Sequence, residues 1–234
     1  GPTAYYVKQL TRLSASYAIT ADVAMGTLGG GLKRMEKLTG RLADVLAWMY
    51  IASAALHRFR TEDQKERDLA AMRWSVQTAL YNAEQALNGV LQNLPVRPAA
   101  ALLRLIVFPF GPRMTPPSDR LGAKVARGIL FDGASREGLT GDVYEPSPTE
   151  PGLGRLEAVF GKVLAARPVS TRIREAVADG KLERKPAATL DDRALEAGLI
   201  TPEEHELLAE VRAESDDIVQ VDAFGSEEFL DLRR

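Results

Sequence analysis

The chain has 234 residues, of which 45% are apolar, and its formal net charge is −2. This length and apolar fraction are enough to bury the core of one large domain, or of one domain with an appendage. The absence of cysteine excludes disulfides, thiolate metal sites and a cysteine nucleophile. The longest uncharged run of the first half, Val45 to Leu56, is too short to span a bilayer.

The charge is distributed unevenly along the chain. Residues 1–130 contain 17 Lys and Arg against 9 Asp and Glu, a net of +8, whereas residues 131–234 contain 13 against 23, a net of −10. Two interpretations fit this asymmetry. The two halves attract each other, or the first half presents a basic surface to phosphate groups or lipid headgroups.

The first half of the sequence predicts three long helices. Apolar residues recur at steps of three and four over residues 4–35, although Gly29-Gly30-Gly31 interrupts this helix near its end, because glycine costs about 1 kcal/mol per residue in a helix. Residues 38–60 give the strongest pattern and are apolar on two sides, which is typical of a central helix in a bundle. The third helix is predicted over residues 68–93 and ends before Pro95.

The next segment predicts a short apolar helix over residues 98–108, because Pro98 suits the first turn of a helix. A rigid proline-rich stretch follows, and Ser118 is suited to cap a helix over residues 119–131. Residues 132–151 are predicted to be loop.

The remaining segments predict smaller helices. We expect them at residues 152–166, 168–179, 189–197 and from Thr201 to about residue 216, where Thr201 and Glu204 form a capping box. The tail, residues 218–224, is predicted to be extended and to dock on the body.

These elements together predict an all-α fold. Residues 3–110 are expected to form a helical bundle of three long helices and one short apolar helix. Residues 111–234 are expected to form a smaller helical, proline-rich extension that wraps around the bundle and packs on it. No segment longer than the tail alternates as a strand does.

The glycine run and the basic residues after it suggest two kinds of anion site. Gly29 to Arg34 does not fit a nucleotide-binding loop, because a helix precedes it and no Ser or Thr follows the lysine, so a helix-breaking turn is the better interpretation. The densest basic cluster is Lys33, Arg34, Lys37 and Arg41. It is either a solvated face or a contact for phosphate groups or an anionic lipid surface.

Few side chains suggest catalysis. His57 and His205 are the only histidines and neither has a partner at metal-ligand spacing, so we predict no metal site. No serine lies in a nucleophile-elbow pattern. Glu84 lies in an uncharged stretch and is either a buried general base or a residue that faces solvent or makes a structural hydrogen bond; we favour the second interpretation. We predict no catalytic residue in this chain.

Two sets of aromatic residues have competing interpretations. Trp48, Tyr50, Trp74 and Tyr81 are predicted to be core anchors rather than a surface on which a cofactor stacks. Arg104, Phe108, Phe110 and Arg113 combine apolar bulk with cationic edges, which suits either a membrane surface or packing under the proline-rich loop.

Several stretches of the chain, in order, resemble the C-terminal region of the bacterial, FadE-type acyl-CoA dehydrogenases. They are Tyr5-Tyr6, Leu10 to Ala15, Leu28 to Arg34, Arg41 to Leu46, Tyr50 to Ala54, Ala79 to Tyr81, Glu84 to Leu87, Leu91 to Pro95, Pro117 to Leu121, Lys124 to Arg127 and Val219 to Phe224. Ala43 and Ala223 depart from the family pattern, which often has glycine and an acidic residue there. The resemblance covers nearly the whole chain.

The resemblance implies an activity that belongs to a longer enzyme. Such enzymes oxidise acyl-CoA to trans-2-enoyl-CoA in fatty-acid β-oxidation, with FAD as hydride acceptor, a glutamate that removes the α-proton, and an electron-transfer flavoprotein that reoxidises the flavin. The catalytic glutamate and the FAD contacts are expected in an upstream dehydrogenase core, so this segment alone is expected to be inactive.

The resemblance also suggests partners and a location. We expect the chain to pack on the dehydrogenase core of a homodimer in the bacterial cytoplasm, with a peripheral contact to the inner membrane, and we expect no nucleic-acid partner. The basic cluster then becomes a candidate contact for a CoA phosphate. The alternative is a free-standing helical protein-interaction module without catalysis, for which the two-sided helix over residues 38–60 is the argument.

Overall fold

The computed structural model describes residues 1–62, 65–144, 146–184 and 186–220. It divides into two compact units, Gly1–Gly141 and Asp142–Arg234. The described residues form helices and turns and contain no strand, so the predicted all-α class is confirmed.

The first unit contains the three long helices and the short apolar helix that the sequence predicts, followed by two further helices. Their bounds are α1 Ala4–Leu28, α2 Glu36–Thr61, α3 Leu69–Asn93, α4 Arg97–Val107, α5 Asp119–Phe131 and α6 Gly133–Thr140. Both α4 and α5 agree with the prediction to within a residue at each end. Ser118 caps α5 as expected, because its side chain accepts a hydrogen bond from the N–H of Leu121.

The core of this unit lies between α2 and α3, which share the most extensive helix–helix contact. Apolar residues at steps of three and four on both helices face one another, and α1 and α4 pack against this pair. The largest fully buried apolar side chains in this core are Val45, Val76, Leu80, Leu87, Val90, Leu91 and Leu94. Fully burying a side chain of this kind contributes about 1.5–3 kcal/mol, so the α2–α3 pair is the main source of the unit's stability.

The glycine run ends α1 as predicted. Gly29 has a φ of 49° and a ψ of −131°, a conformation that side chains with a Cβ rarely adopt, and its N–H still bonds the carbonyl of Met25. Residues Gly29–Arg34 then form a single 3₁₀ segment that leads into α2.

Helix α6 is a correction to the predicted loop over residues 132–151. The Asp132 side chain accepts hydrogen bonds from the N–H of Ala134 and the hydroxyl of Ser135, which provides an N-terminal cap. The helix is short and contains Gly138, so its sequence pattern is weak. Because α5 also contacts α3, the first unit continues past residue 110, where the sequence analysis ended the bundle.

The second unit contains α7 Leu153–Ala178, α8 Leu190–Glu196 and α9 Pro202–Val219. Its core includes Ala166, Val169, Ile173, Ala194 and Leu208. The capping box at Thr201 and Glu204 is confirmed in both directions. The packing of this extension on the bundle stays a prediction.

Two expectations for the second unit are wrong. Residues 152–166 and 168–179 form one helix rather than two, with Pro168 inside it. An internal proline costs about 3 kcal/mol in a helix, but buried residues on both sides of Pro168 pack in this core and offset that cost. Ile218 and Val219 belong to α9 rather than to an extended tail, and residues 221–224 lie outside the described residues.

Within the described residues, no helix is both long enough and apolar enough to cross a bilayer.

Candidate functional site

Among the acidic residues that the structure describes in the first unit, Glu84 is the most deeply buried. Its side chain, on α3, is 1% exposed and has three hydrogen-bond donors around it. The backbone N–H groups of Arg113 and Met114 both donate to Oε2, at 2.8 Å and 2.6 Å. The Arg12 guanidinium, on α1, donates from Nη2 to Oε1 at 3.3 Å.

This arrangement makes Glu84 a structural residue. A buried carboxylate needs partners, and here two peptide N–H groups and one cation supply them. The side chain therefore ties the proline-rich segment after α4 to both α3 and α1. The predicted structural hydrogen bond is confirmed, whereas the solvent-facing alternative is wrong. The polar neighbours Asn82, Gln85 and Asn88 had suggested that alternative.

An exposed apolar surface lies on α4 and on the segment that Glu84 anchors. Leu102, Leu105 and Ile106 are exposed on one side of α4, while Leu103 and Val107 are buried on the other side. Phe110 is 77% exposed, and the Arg113 guanidinium lies over its ring, 4.6 Å from the ring centre. We call Leu102, Leu105, Ile106 and Phe110, with Arg104 and Arg113, the α4 surface.

The α4 surface separates residues that the sequence analysis had grouped together. Phe108 is buried in the core, against which Met114 of the proline-rich segment also packs. Arg104, Phe110 and Arg113 are exposed. The candidate group thus divides into one core contact and three residues that are free to meet a partner.

A second surface is the basic depression at the start of α2. Arg34, Lys37 and Arg41 line it together with Glu36 and Asn93, around a volume of about 540 Å³. Arg41 is half-buried and donates to the carbonyl of Lys37 at 3.2 Å.

The Arg41 side chain crosses α3 at a glycine. A Cβ at Gly89 would lie 3.0 Å from Cδ and 3.1 Å from Nε of Arg41, so the glycine leaves room for the arginine. The structure therefore brings three of the four predicted basic residues into one depression. Lys33 is exposed on the preceding 3₁₀ segment and is not among the residues that line it.

A groove of about 470 Å³ runs between α2 and α3. Its lining is mainly apolar, including Tyr50, Ile51, Phe59 and Met72, and Leu139 of α6 closes one side. Arg58 is the cation in this lining, and it already bonds Glu62 at 2.9 Å and the carbonyl of Gly138. Glu62 and Asp68 also line the groove, so it lacks the donors that a pyrophosphate such as that of FAD needs.

The aromatic residues predicted to be core anchors take different positions. Trp48 packs against the core from its edge, and Tyr81 is half-buried. Tyr50 is 74% exposed and Trp74 is 39% exposed, so the prediction is wrong for both. Of the predicted second apolar side of α2, Trp48 and Ala55 pack against the core, whereas Ile51 is 44% exposed.

Neither histidine belongs to a cluster of potential metal ligands among the described residues. His57 is exposed on α2, and His205 lies in the second unit with Nε2 2.8 Å from Oδ1 of Asp192. In the part of the chain that the structure describes, no three His, Asp or Glu side chains come together as metal ligands do.

Ion pairs between helices characterise the second unit. Lys162 of α7 donates to Glu210 and Glu214 of α9 at 2.7 Å and 2.5 Å, and the hydrogen bond to Glu210, followed by that to Glu214, raises the pKa of Lys162. Arg172 donates to Glu204 at 2.5 Å, and this bond, followed by the N–H of Thr201, lowers the pKa of Glu204. These charges lie on the surface and orient α7 and α9 rather than form a catalytic centre.

Comparison with known protein families gives a match over residues 1–224, to the family described as acyl-CoA dehydrogenase, C-terminal, bacterial type. No solved structure matches the chain. The match covers nearly all of the sequence, including the helices that carry Glu84, the α4 surface and the basic depression. The chain therefore belongs to the family of bacterial-type C-terminal domains of acyl-CoA dehydrogenases.

Proposed function

We propose that this chain is the C-terminal helical domain of an FAD-dependent acyl-CoA dehydrogenase of fatty-acid β-oxidation. The complete enzyme converts acyl-CoA to trans-2-enoyl-CoA, and an electron-transfer flavoprotein reoxidises its FAD. The active site lies in a dehydrogenase core outside these residues. The observation that supports this division is the state of Glu84, whose carboxylate is committed to three donors and cannot approach a substrate.

FAD supplies the hydride acceptor of such an enzyme when it is bound. The groove between α2 and α3 does not fit this cofactor, because its cation is paired and two carboxylates line it. We therefore assign FAD to the upstream core and derive no step of the reaction from the residues of this chain.

The domain's own role is to attach the enzyme to an anionic membrane surface through the α4 surface. Three neighbouring features support this role. The apolar side chains are exposed, arginines flank them, and no acidic residue occurs between Asn93 and Pro117. An amphipathic helix of this kind lies in the plane of the interface, with its apolar side among the acyl chains and its arginines at the headgroups. The enzyme would then act in the bacterial cytoplasm, peripheral to the inner membrane.

Co-sedimentation with vesicles tests the membrane role. The 234-residue chain is expected to bind vesicles that contain anionic phospholipid at low salt and to bind zwitterionic vesicles much less. Leu105→Glu, which places a charge on the α4 surface, is expected to lower the bound fraction at least about tenfold, because a buried Leu contributes about 1.5–3 kcal/mol. Val143→Glu, at a similarly exposed apolar position in the second unit, is the matched control and should bind normally. Equal binding by both variants, or no binding by the parent chain, would exclude this role.

The basic depression is proposed to contact an anionic group of the substrate or of the membrane, a CoA phosphate or a lipid headgroup. Lys33, Arg34, Lys37 and Arg41 are the residues of this contact. Arg41 supports the assignment best, because its side chain passes close to Gly89 and its guanidinium donates to the carbonyl of Lys37. The two sources can be separated by titration with CoA in the absence of lipid.

A second candidate function is a free-standing helical interaction module. The exposed apolar side of α2 favours it, because such a surface is rare on an isolated monomer. Light scattering and thermal melting of the 234-residue chain distinguish the two. A monodisperse chain that melts cooperatively supports the module, whereas aggregation supports a domain separated from a larger enzyme.

A further inference from the structure

Phe110 lies at the tip of a tight turn that follows α4. The N–H of Gly111 donates to the carbonyl of Phe108 at 3.0 Å and closes a turn over residues 108–111, which we call the Phe110 turn. Pro109 occupies the second position of this turn, which suits its fixed φ. Gly111 has a φ of 77°, a conformation that residues with a Cβ rarely adopt. The local sequence therefore favours a single turn conformation.

Both ends of the Phe110 turn are attached to the first unit. Phe108 is buried in the core. After the turn, the N–H groups of Arg113 and Met114 donate to Glu84, and Met114 also packs against the core. The turn is thus ordered before any partner binds, so binding through it costs little further conformational entropy. Its tip is nevertheless an aromatic residue, and Phe110 is 77% exposed.

The fold does not require an aromatic side chain at this tip. Turns favour glycine, asparagine, aspartate and serine, because a turn demands a backbone conformation rather than a buried side chain. The ring contacts the guanidinium of Arg113, and such a pair is weak at an exposed site. Along the chain, the ring follows the exposed residues Leu102, Leu105 and Ile106 of α4. An exposed apolar surface of this size indicates an interaction site.

The charge of this region identifies the partner that it fits. Residues 94–116 contain three arginines and no Lys, Asp or Glu, a net charge of +3. Among the described residues, no ion pair includes Arg104 or Arg113, so both cations are free. Free guanidinium groups beside apolar side chains are complementary to lipid phosphates beside acyl chains. A protein pocket that accepts the ring alone would leave the apolar side chains of α4 in water, whereas a bilayer accepts them together.

We propose that the Phe110 turn inserts its ring into the acyl-chain region of an anionic membrane, and that the guanidinium of Arg113 leaves the ring to bind a lipid phosphate. This inference rests on the membrane role proposed above for the α4 surface, and it names the side chain that determines the depth of insertion. The ring enters about 5–10 Å below the headgroups. The planar guanidinium then donates two hydrogen bonds to phosphate oxygens, a geometry that lysine cannot provide.

Two alanine variants test the contribution of the ring. Phe110→Ala should lower the affinity of the 234-residue chain about tenfold for vesicles of phosphatidylglycerol and phosphatidylcholine, because it removes the apolar area that leaves water. Tyr50→Ala is the matched control, since Tyr50 is a 74% exposed aromatic residue on α2 of the same unit. This control should bind as the parent chain does. Thermal melting checks that both variants are folded.

A second pair of variants tests the cation. Arg113→Gln should lower the affinity about fivefold and make binding less dependent on salt, because one cation near an anionic surface is lost. Arg113→Lys keeps the charge without the planar guanidinium and should restore only part of this loss. Full restoration by lysine would contradict the assigned phosphate contact.

Variants at Gly111 test whether the turn conformation matters. A Cβ at this position meets no atom within 4 Å, so a substitution changes the conformational preference and leaves the packing intact. Asparagine tolerates a positive φ better than alanine does. Gly111→Ala should therefore weaken vesicle binding at least about threefold although Phe110 is still present, and Gly111→Asn should retain more of the affinity. Equal affinities of the two variants would contradict the role of the turn.

A fluorescent label measures the depth of insertion directly, because the chain contains no cysteine of its own. An environment-sensitive dye on Phe110→Cys should shift its emission to the blue on the anionic vesicles, and lipids brominated in their acyl chains should quench it. The same dye on Tyr50→Cys should keep the emission that it has in water.

The outcomes separate this inference from the membrane role itself. Absence of vesicle binding by the parent chain would overturn both. If the parent binds and Leu105→Glu weakens binding, the membrane role stands. In that case, full binding by Phe110→Ala, an equal loss in Tyr50→Ala, or a dye at residue 110 that remains in water would overturn the insertion of Phe110 alone.

Discussion

Removing the Glu84 carboxylate should loosen the proline-rich segment and destabilise the first unit. Glu84→Ala leaves the N–H groups of Arg113 and Met114 without an acceptor inside the protein, and it creates a small cavity. Each unsatisfied buried donor costs about 1–3 kcal/mol, so the free energy of unfolding should fall by about 3–5 kcal/mol. At about 3 °C per kcal/mol, the melting temperature should fall by about 9–15 °C.

Related variants separate the contributions around Glu84. Glu84→Gln keeps one acceptor for the two N–H groups but loses the charge and turns a donor towards Arg12, which predicts a loss of about 1–2 kcal/mol. Arg12→Ala should cost less than about 1 kcal/mol, because the Arg12 side chain is 43% exposed and water screens the pair. Gln85→Ala, on the exposed side of α3, is the control and should be neutral.

Tryptophan fluorescence is the appropriate assay for these variants. The two tryptophans, Trp48 and Trp74, both lie in the first unit, so urea unfolding monitored by fluorescence reports that unit alone. Hydrogen exchange of the Arg113 and Met114 amides provides a local readout. The reasoning is refuted if Arg12→Ala costs more than Glu84→Ala, or if the two amides exchange equally fast with and without the carboxylate.

Further predictions concern the basic depression and the second unit. Gly89→Ala should displace Arg41 and weaken the binding of CoA or phosphate, while the free energy of unfolding stays within about 1 kcal/mol because alanine favours the helix. Calorimetric titration measures the binding and thermal melting measures the stability. Unchanged binding would contradict the role of Arg41. Thr201→Ala removes the capping box and should lower the free energy of unfolding by about 1 kcal/mol, which amide exchange at the start of α9 would show as a faster rate. An unchanged exchange rate would contradict this prediction. The pKa of Glu204 is lowered from its ordinary value of 4.5, so the ionised Glu204 side chain stabilises the fold fully above pH 4.5, and this stabilisation disappears as the pH falls through the lowered pKa. Arg172→Ala should make the melting temperature, followed by circular dichroism, depend less on pH in the acid range. An unchanged pH dependence would contradict the assignment.

The sequence predicts the helices of the first unit well because each has a strong local signal. Apolar residues at steps of three and four mark α2 and α3, and proline and serine mark the starts of α4 and α5. The predictions fail where distant contacts decide the structure. Pro168 remains inside α7 because buried neighbours offset its cost, and α6 is a short helix with a single capping residue.

The candidate sites are only partly predictable for the same reason. The basic cluster is visible as a run of charges, but the depression also requires Gly89, which is 48 residues beyond Arg41 in the sequence. Glu84 is notable in the sequence because it is the one charge between Trp74 and Pro95. Its partners cannot be identified there, because two of them are backbone N–H groups and the third is Arg12, 72 residues away. Periodicity marks Trp48, Ile51 and Ala55 as a second apolar side of α2, but it does not show that the core covers Trp48 and Ala55 and leaves Ile51 exposed.

The most direct test of the central claim is the flavin content and the acyl-CoA oxidation activity of the purified 234-residue chain, measured beside the complete enzyme with an artificial electron acceptor. The account predicts no flavin absorbance and no turnover in this chain, and both properties in the enzyme that includes the dehydrogenase core. Bound FAD or formation of trans-2-enoyl-CoA by the 234 residues alone would contradict it.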